Sequence, residues 1–452
     1  MVQAFLSLAL ALSVWAGSAR LDSGDTKAWP QLQDQASQLG AQPAEVPPIS
    51  ALSTHHRRVG GSGNASSGDG AVMLQGFHWT SWQAAPWWDV IAGKAGDIAS
   101  SGINLVWLPP SSDAASNEGY IPRRWYVQDS KYGTKAQLQK AIGALHGGGV
   151  KVLADIVINH RVGSGGWANF TEPAWGPEAV CSDDEWPGAK GHPDTGKSVP
   201  YARDLDHTQP FVQKDTKDWM NWLKTEIGYD GWRYDFVRGY GTQYLAMYND
   251  ATSPAFAVAE IWDDFEINNV NAHRQRLADY IDSVGGRIAA FDFTTKAVLQ
   301  QAVSAGEYWR LKDAQGKPAG LIGWWPAKAV TFIDNHDTGA STGGTSQNMW
   351  PFPGDRVMEG YAYILTHPGV PCVYWPHFYD WGLHDQIKAL IGARKSAGIT
   401  STSAVAVQAA DNSRYAAIVD GKLAVKIGPG DWDPGAGWDL AASGKNYAVW
   451  TK

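Results

Sequence analysis

The run VKVLADIVIN (150–159) is apolar over most of its length and is followed by His160. A strand of that composition is buried on both faces, as strands of a parallel sheet are. Seven further runs resemble it: AVMLQGF (71–77), INLVWLP (103–109), GWRYDFV (231–237), FAVAEIW (256–262), AAFDF (289–293), AVTFIDN (329–335) and GVPCVYW (369–375). Helical patterns lie between them, among them KAQLQKAIGALHGGG (135–149), VQKDTKDWMNWLKTEIG (212–228) and the segment 381–397. Eight strands alternating with helices predict an α/β fold, a (β/α)8 barrel.

Outward from these runs, the regular pattern fails in three places. Segment 161–207, after the third run, is rich in Gly, Pro, Trp and Asp and has no clear helix, as in an inserted loop-rich domain. After residue 397 the pattern alternates: VAVQAADNSRYAAIVDGKLAVKIG (404–427) turns at Asp420-Gly421 and predicts a separate antiparallel sheet. Near the N-terminus, FLSLALALSVWAG (5–17) is apolar, short for a bilayer, and followed by Gly-Ser-Ala-Arg. That is the pattern of a secretory signal, with a plastid transit peptide as the alternative. The stretch up to Asp69 is rich in Ser, Gly, Gln, Ala and Pro without periodicity, the composition of a flexible linker. Its basic run His55-His56-Arg57-Arg58 reads as solvated, and its Gly60 to Gly63 follow no strand, so they form no phosphate cradle. The expected organisation is a signal peptide at 1–19, a linker at 20–69, a barrel at 70–160 and 208–397, an inserted domain at 161–207 and a C-terminal β domain at 398–452.

Composition narrows the function. Asp and Glu number 45 against 37 Lys and Arg, a net charge of −8, which argues against a surface that tracks phosphates and against nucleic acid as a partner. Charged residues are 18%, below the roughly 25% of an average chain, which excludes disorder of the whole chain. Beyond the N-terminal run, no stretch is long and apolar enough for a membrane helix. The 24 Trp fill a core or stack on the apolar faces of sugars. Two cysteines, Cys181 and Cys372, make no disulfide framework; two buried thiols or one bridge both stay open. Asn64-Ala65-Ser66 and Asn169-Phe170-Thr171 are glycosylation sequons for a chain in the secretory pathway.

Active sites of such barrels lie at the C-terminal ends of the strands. Four runs carry acids there: Asp155, Asp235, Glu260 and Asp337. Arg233 lies two residues before Asp235, on the same face of its strand, and keeps a neighbouring carboxylate ionised. An ionised carboxylate beside a protonatable acid is what glycosidic cleavage needs. His160 and His336 would add hydrogen bonds to sugar hydroxyls. Any one acid alone reads as a cap or an ion pair; their convergence on strand ends favours a site.

DIVINH (155–160), GWRYDFVRGY (231–240), AEIW (259–262) and FIDNHDT (332–338) resemble the four motif regions of the α-amylase family of glycoside hydrolases. LQGFHWTSW (74–82), NEGYIP (117–122), SKYGTKAQL (130–138), GWWPAKAVTF (323–332), DRVMEGYAYILTHPG (355–369) and GKNYAVW (444–450) are similar to its plant-type members, and the likeness runs from about residue 70 to the end. The resemblance implies that Asp235 is the nucleophile, Glu260 the general acid/base and Asp337 the third acid, which stabilises the transition state. It implies that Arg233 positions the nucleophile, that His160 and His336 grip the sugar, and that Tyr120 stacks on it. Retention of configuration is implied, with the Asp235 and Glu260 carboxyls about 5–5.5 Å apart. Trp262 would line the leaving-group side, and Arg238 stands where the family usually has Lys. Trp324 and Trp325 match a starch-stacking surface pair, with one of the two buried in the barrel wall as the alternative. Trp432 in GPGDWDPG (428–435) loosely occupies the place of a second sugar site.

The same resemblance makes 161–207 a calcium-binding domain holding at least one Ca2+. Asn159, Asp194 and Asp204 match its side-chain ligands, and the carbonyls of Lys197 and Gly239 its backbone ligands. Oxygen donors on an irregular loop suit this hard cation. An acidic stretch serving more ions is largely missing after Arg161, though Asp183 and Asp184 would keep part of a second site. ASTGGTSQN (340–348) is an insertion at the cleft rim. The expected activity is endo-hydrolysis of α-1,4-glucosidic bonds in starch, glycogen and maltooligosaccharides. The alternatives are a 4-α-glucanotransferase and a non-catalytic starch-binding protein. The expected partners are α-1,4-glucans alone, with no nucleic acid and no membrane; the expected state is a monomer, secreted, with the plastid as the alternative.

Overall fold

A computed structural model describes residues 69–84, 86–200, 202–342 and 347–452. The signal, the linker as far as Gly68, the basic run and the Asn64 sequon lie outside the described residues. Each of the eight apolar runs contributes one barrel strand, shorter than the run itself: β1 (Met73–Gln75), β2 (Leu105–Trp107), β3 (Lys151–Ile156), β4 (Gly231–Tyr234), β5 (Ala257–Ala259), β6 (Ala289–Phe291), β7 (Ala329–Thr331) and β8 (Val370–Tyr374). They pair in chain order, all parallel, and β1 closes the barrel against β8. Register matters for the site: Asp155 lies opposite Arg233 across β3 and β4, and Tyr234 opposite Ala259 across β4 and β5.

Among the described residues, eight helices of ten residues or more alternate with these strands: α1 (Trp87–Ser100), α2 (Lys135–Gly147), α3 (Pro210–Trp222), α4 (Thr242–Thr252), α5 (Val270–Ser283), α6 (Phe293–Ala305), α7 (Val357–Thr366) and α8 (His384–Ser396); a one-turn helix at Leu321–Trp324 precedes β7. Local chemistry starts several of them. Thr134 and Gln137 form a capping box on α2, Pro210 opens α3, and the Asp292 carboxylate accepts from the Thr295 N–H at 2.8 Å to cap α6.

Segment 161–207 contains, among its described residues, one two-residue ribbon (His160–Arg161 with Arg203–Asp204) and one 3-10 turn at Pro177–Ala179. Arg161 anchors it. Its buried guanidinium sits 4.7 Å from the Trp125 ring, 4.6 Å from Trp175 and 5.0 Å from Phe170. It donates to the carbonyls of Arg123 (2.7 Å), Thr171 (2.9 Å) and Pro173 (3.2 Å), so a cation and three rings stand in for a missing helical scaffold.

The predicted C-terminal sheet has five strands: β9 (Val405–Ala410), β10 (Tyr415–Val419), β11 (Leu423–Ile427), β12 (Asp439–Gly444) and β13 (Tyr447–Thr451), ordered β9-β10-β11-β13-β12. The β10–β11 turn places Asp420 and Gly421 at φ 50° and 67°, the backbone that suits this Asp-Gly pair. Tyr415, Val419, Val425, Ile427 and Val449 are buried on the inner face, and the sheet packs on α7 and α8. Cys181 and Cys372 are both buried free thiols, so the bridge is excluded. Among the described residues no helix is long and apolar enough to cross a membrane.

Candidate active site

Arg233 is the centre of the strand-end cluster. It points into the barrel mouth from β4 and is buried to 1% exposure. Nη1 donates to Asp155 at 2.8 Å and to Asp235 at 2.6 Å; Nη2 donates to Glu260 at 3.0 Å. The guanidinium also lies 4.8 Å from the Trp107 ring. One cation therefore holds carboxylates from β3, from the end of β4 and from the end of β5. A planar fork with several fixed donors does this where a point charge would not.

The backbone after Asp235 takes a sharp turn. Phe236 has φ 41° and ψ 50°, a left-handed conformation rare for a bulky residue. That turn aims the Phe236 N–H at Glu260 Oε2, 3.1 Å away. Such strain costs about 1–3 kcal/mol and persists where packing enforces it. Asp235 and Glu260 approach closely enough to share a hydrogen bond.

Burial pushes the carboxyls of Asp155, Asp235 and Glu260 above their ordinary values, and the Arg233 charge works against that rise. The contact between the two carboxyls works against the rise at Asp235 and adds to it at Glu260. Asp337 is pushed well above the ordinary range, by burial first and the Glu260 charge second. The site can thus hold an ionised Asp235 beside a protonated Glu260.

The histidines are neutral. Burial pushes His160 down to about 4, and burial with Arg233 pushes His336 well below its usual value. The Gln75 amide donates to His336 Nδ1 at 3.0 Å, which leaves the proton on Nε2, 3.4 Å from an Asp337 carboxylate oxygen. His160 Nε2 donates to the Tyr120 carbonyl at 2.8 Å, and the Tyr120 hydroxyl donates to Asp155 at 2.8 Å.

Tyr120, His336 and Trp79 have ring planes within 8° of parallel. Their centroids are 5.1 Å apart for Tyr120–His336 and 6.0 Å for each pair with Trp79. A face-to-face column would set its outer rings at twice its contact spacing of about 3.5–4 Å. Three nearly equal separations are those of offset-stacked rings in parallel planes, an aromatic floor next to Asp337. Such a floor matches the apolar face of a pyranose.

Other expected residues have mixed surroundings. Arg238 donates to Asp263 at 2.6 Å, and Asp263 also takes Arg276 at 2.9 Å, so Arg238 stands in a rim ion network. Trp262 is half-buried and stacks on Phe293 at 5.2 Å. Trp324 and Trp325 are both half-buried; one face of Trp324 is covered by the Arg274 guanidinium at 3.7 Å. Trp432 lies edge-on to Trp450 at 5.8 Å. Sequence reasoning missed Gln75, Trp79 and Trp107. Gln75 and Trp107 end β1 and β2, so the strand-end rule that found the acids also reaches them. Asp155 was found, but its part as the acceptor for Trp107 (3.0 Å), Tyr120 and Arg233 needs the tertiary structure.

The residues expected to hold Ca2+ come together at the base of segment 161–207. Asn159 Oδ1 and Asp194 Oδ2 are buried with no hydrogen-bond partner. Asn159 Nδ2 donates to Asp204 at 3.1 Å, which turns Oδ1 toward Gly239. A Cβ at Gly239 would stand 1.7 Å from that oxygen, so the backbone comes close only because no side chain intervenes. The Lys197 N–H donates to the Arg238 carbonyl at 2.8 Å and ties the second backbone donor to this corner. Burial and the Asp194 charge push Asp204 up to about 7, a penalty that a cation would relieve. Two orphaned oxygens, a buried carboxylate and a glycine-lined gap fit a hard cation. A second site at Asp183 and Asp184 is corrected: Asp184 is fully buried against Arg203 at 2.5 Å and also accepts the Asp204 N–H at 3.0 Å.

Comparison with known proteins gives the following likenesses. Residues 88–174 match the family model described as alpha amylase, catalytic domain, and residues 396–451 the alpha-amylase C-terminal beta-sheet domain. The chain is 47% identical over 397 residues to "Probable alpha-amylase 2" of Arabidopsis thaliana, covering 84% of this chain and 94% of that protein. It is 42% identical over 403 residues to "Alpha-amylase 3, chloroplastic" of the same plant, covering 85% of this chain and 45% of that protein. Among solved structures, an alpha-amylase from Malbranchea cinnamomea aligns with a TM-score of 0.60 at 16% identity, over 80% of this chain and 85% of that one, a likeness of fold.

Proposed function

The chain belongs to the α-amylase family of glycoside hydrolases, and from that premise we propose that it opens α-1,4-glucosidic bonds inside starch, glycogen and maltooligosaccharides by a retaining double displacement. The observation that carries this reading is one guanidinium, Arg233, within 3.0 Å of Asp155, Asp235 and Glu260, with Asp235 and Glu260 close enough to share a proton.

In the first step Glu260 gives its proton to the glycosidic oxygen while Asp235 attacks the anomeric carbon. The carbon–oxygen bond breaks, the shortened glucan leaves with the proton, and the sugar is held as an ester of Asp235. In the second step Glu260 takes a proton from water, whose oxygen attacks the same carbon and releases Asp235. Two displacements on one carbon retain configuration, and carboxyls this close leave no room for a water between them, as an inverting enzyme requires. Arg233 keeps Asp235 ionised. Asp337, with His336, holds ring hydroxyls and faces the positive charge that develops on the sugar. Tyr120, extended by Trp79, carries the sugar face, and His160 steadies that floor. Trp262 and Arg238 border the leaving-group side, and Trp324 and Trp325 give outer contacts to a longer glucan.

Segment 161–207 serves as the calcium domain, holding at least one Ca2+ through the side chains of Asn159, Asp194 and Asp204 and the carbonyls of Lys197 and Gly239. The ion supplies fixed positive charge that ties the loop to the end of β3. The chain acts as a monomer and is secreted; the chloroplastic label on one relative makes the plastid the competing address.

The test compares wild type with Asp235→Asn on starch, with and without a calcium chelator, following iodine staining and reducing ends together. Rapid loss of stain with few reducing ends, absent in the variant and weakened by chelation, is the expected result. Lost staining without new reducing ends would indicate a glucanotransferase. Starch binding without turnover in wild type would indicate a binding protein.

A further inference from the structure

A buried lysine lies behind the turn that carries Asp337, and the mechanism above does not use it. Lys296, on α6, is fully buried. Its Nζ donates to Gln300 Oε1 at 2.6 Å, to the Ile333 carbonyl at 2.7 Å and to Asp334 Oδ1 at 3.4 Å. Three donors meet three acceptors, so the ammonium is saturated. The Trp350 ring lies 4.7 Å away and Phe352 5.8 Å away.

These contacts fall on both sides of the catalytic turn. Before it, Asp334 accepts from the Thr338 hydroxyl at 3.0 Å, and that hydroxyl accepts the Asn335 N–H at 3.0 Å. Asn335 Oδ1 accepts the N–H groups of Asp337 (3.0 Å) and Thr338 (2.9 Å). After it, Asp334 accepts the Phe352 N–H at 3.1 Å, and the N–H groups of Met349 and Trp350 donate to the carbonyls of Asp337 (2.9 Å) and Thr338 (3.2 Å). Among the described residues, the ion-pair partner of Asp337 is His336, at 3.4 Å, and no lysine or arginine pairs with it. Its aim therefore depends on the backbone of residues 334–339, and Lys296 spans that backbone from Ile333 to Phe352.

We propose that Lys296 is a positioning residue for Asp337, its ammonium bracing the 334–339 turn against the 349–352 segment so that the Asp337 carboxylate meets the transition state. The inference rests on the α-amylase reading above. His377 is a neutral neighbour, its Nε2 3.6 Å from Asp334, with burial and the Lys296 charge pushing it down to about 3. Lys296 is thus the cation that compensates Asp334. An apolar side chain of equal length would fill the space and supply none of the three bonds.

The experiment measures three variants beside wild type: Lys296→Met, Lys296→Met with Asp334→Asn, and Asp337→Asn. The readouts are kcat, KM, affinity for a transition-state-mimicking aminosugar oligosaccharide, and affinity for maltotriose. A misplacement near 1 Å costs about 100-fold in rate. Lys296→Met should lose roughly that in kcat and in affinity for the mimic, with KM and maltotriose affinity within about twofold, since only transition-state contacts are disturbed. A folded Lys296→Met with wild-type kcat and wild-type affinity for the mimic overturns the proposal. If Lys296→Met does not fold, because Asp334 is left as an uncompensated buried charge, the double variant removes that charge along with the brace. Low kcat with unchanged maltotriose affinity in the double variant supports the proposal, and wild-type kcat overturns it. Asp337→Asn separates the two readings. If it is inactive while the Lys296 variants match wild type, only the positioning role falls; if it matches wild type, the catalytic reading falls as well.

Discussion

The proposed double displacement needs an ionised Asp235 beside a protonated Glu260, both within reach of Arg233, and pH tests this division. Asp235 must be ionised to attack and Glu260 protonated to donate. Burial raises both, so both limbs of the profile should lie above ordinary carboxylate values, with the pair titrating as a unit. Plots of kcat/KM against pH should be bell-shaped, and Glu260→Gln should leave a residual rate that has lost the alkaline limb; an alkaline limb that survives in Glu260→Gln assigns the acid elsewhere. A second prediction concerns stability. Asp337 has a folded pKa well above its unfolded one, so burying its charge costs stability in full above the folded pKa, and the cost falls away as pH drops from that value to the unfolded pKa. Asp337→Asn should therefore abolish turnover yet raise stability at neutral pH by about 1 kcal/mol, the scale of relief at a strained catalytic site. Thermal unfolding at pH 7 and at pH 4 measures it, and a gain that persists unchanged at the lower pH would contradict the charge argument.

The inserted segment 161–207 is held at the scale of the element by Arg161 on one side and the Asn159–Asp194–Asp204 corner on the other. A ligand bound only by the folded state adds about 2.7 kcal/mol at 100 times its dissociation constant. Chelation should accordingly lower the melting temperature of wild type and leave that of Asp204→Asn little changed, because the variant has already lost most of its affinity. Scanning calorimetry with and without chelator checks this; equal chelator sensitivity in both proteins would place the ion elsewhere. Gly239→Ala should resemble Asp204→Asn, since its methyl would meet Asn159 Oδ1.

For the whole molecule, the C-terminal sheet completes the barrel's outer layer. Its inner residues cover α7 and α8, and each large apolar side chain buried there is worth about 1.5–3 kcal/mol. Ile427→Ala should cost about 2–5 kcal/mol and lower the melting temperature while leaving kcat at 25 °C unchanged. Every barrel strand and every proposed site residue lies after Asp69, so a chain beginning there should equal the full chain in specific activity on soluble starch. A large loss on trimming would assign residues 1–68 a role in folding or substrate capture.

The alternation of apolar runs with helical patterns was enough to count the barrel strands, because strands buried on both faces have to be apolar throughout. Asp155, Asp235, Glu260 and Asp337 were legible for a related reason: an ionisable group ending such a run needs a purpose that burial alone does not give it. The C-terminal sheet was legible from its alternation and its Asp-Gly turn. The sequence did not reveal that one guanidinium would bind three of those acids, that Trp79 would lie beside Tyr120 and His336, or that Lys296 would lie beneath Asp337. Contacts at the site join residues far apart in the chain; Gln75 and His336 are 261 positions apart. Periodicity reports which face a side chain takes along its own element. Which side chains meet across the barrel mouth depends on strand register and closure, and these are properties of the folded chain alone.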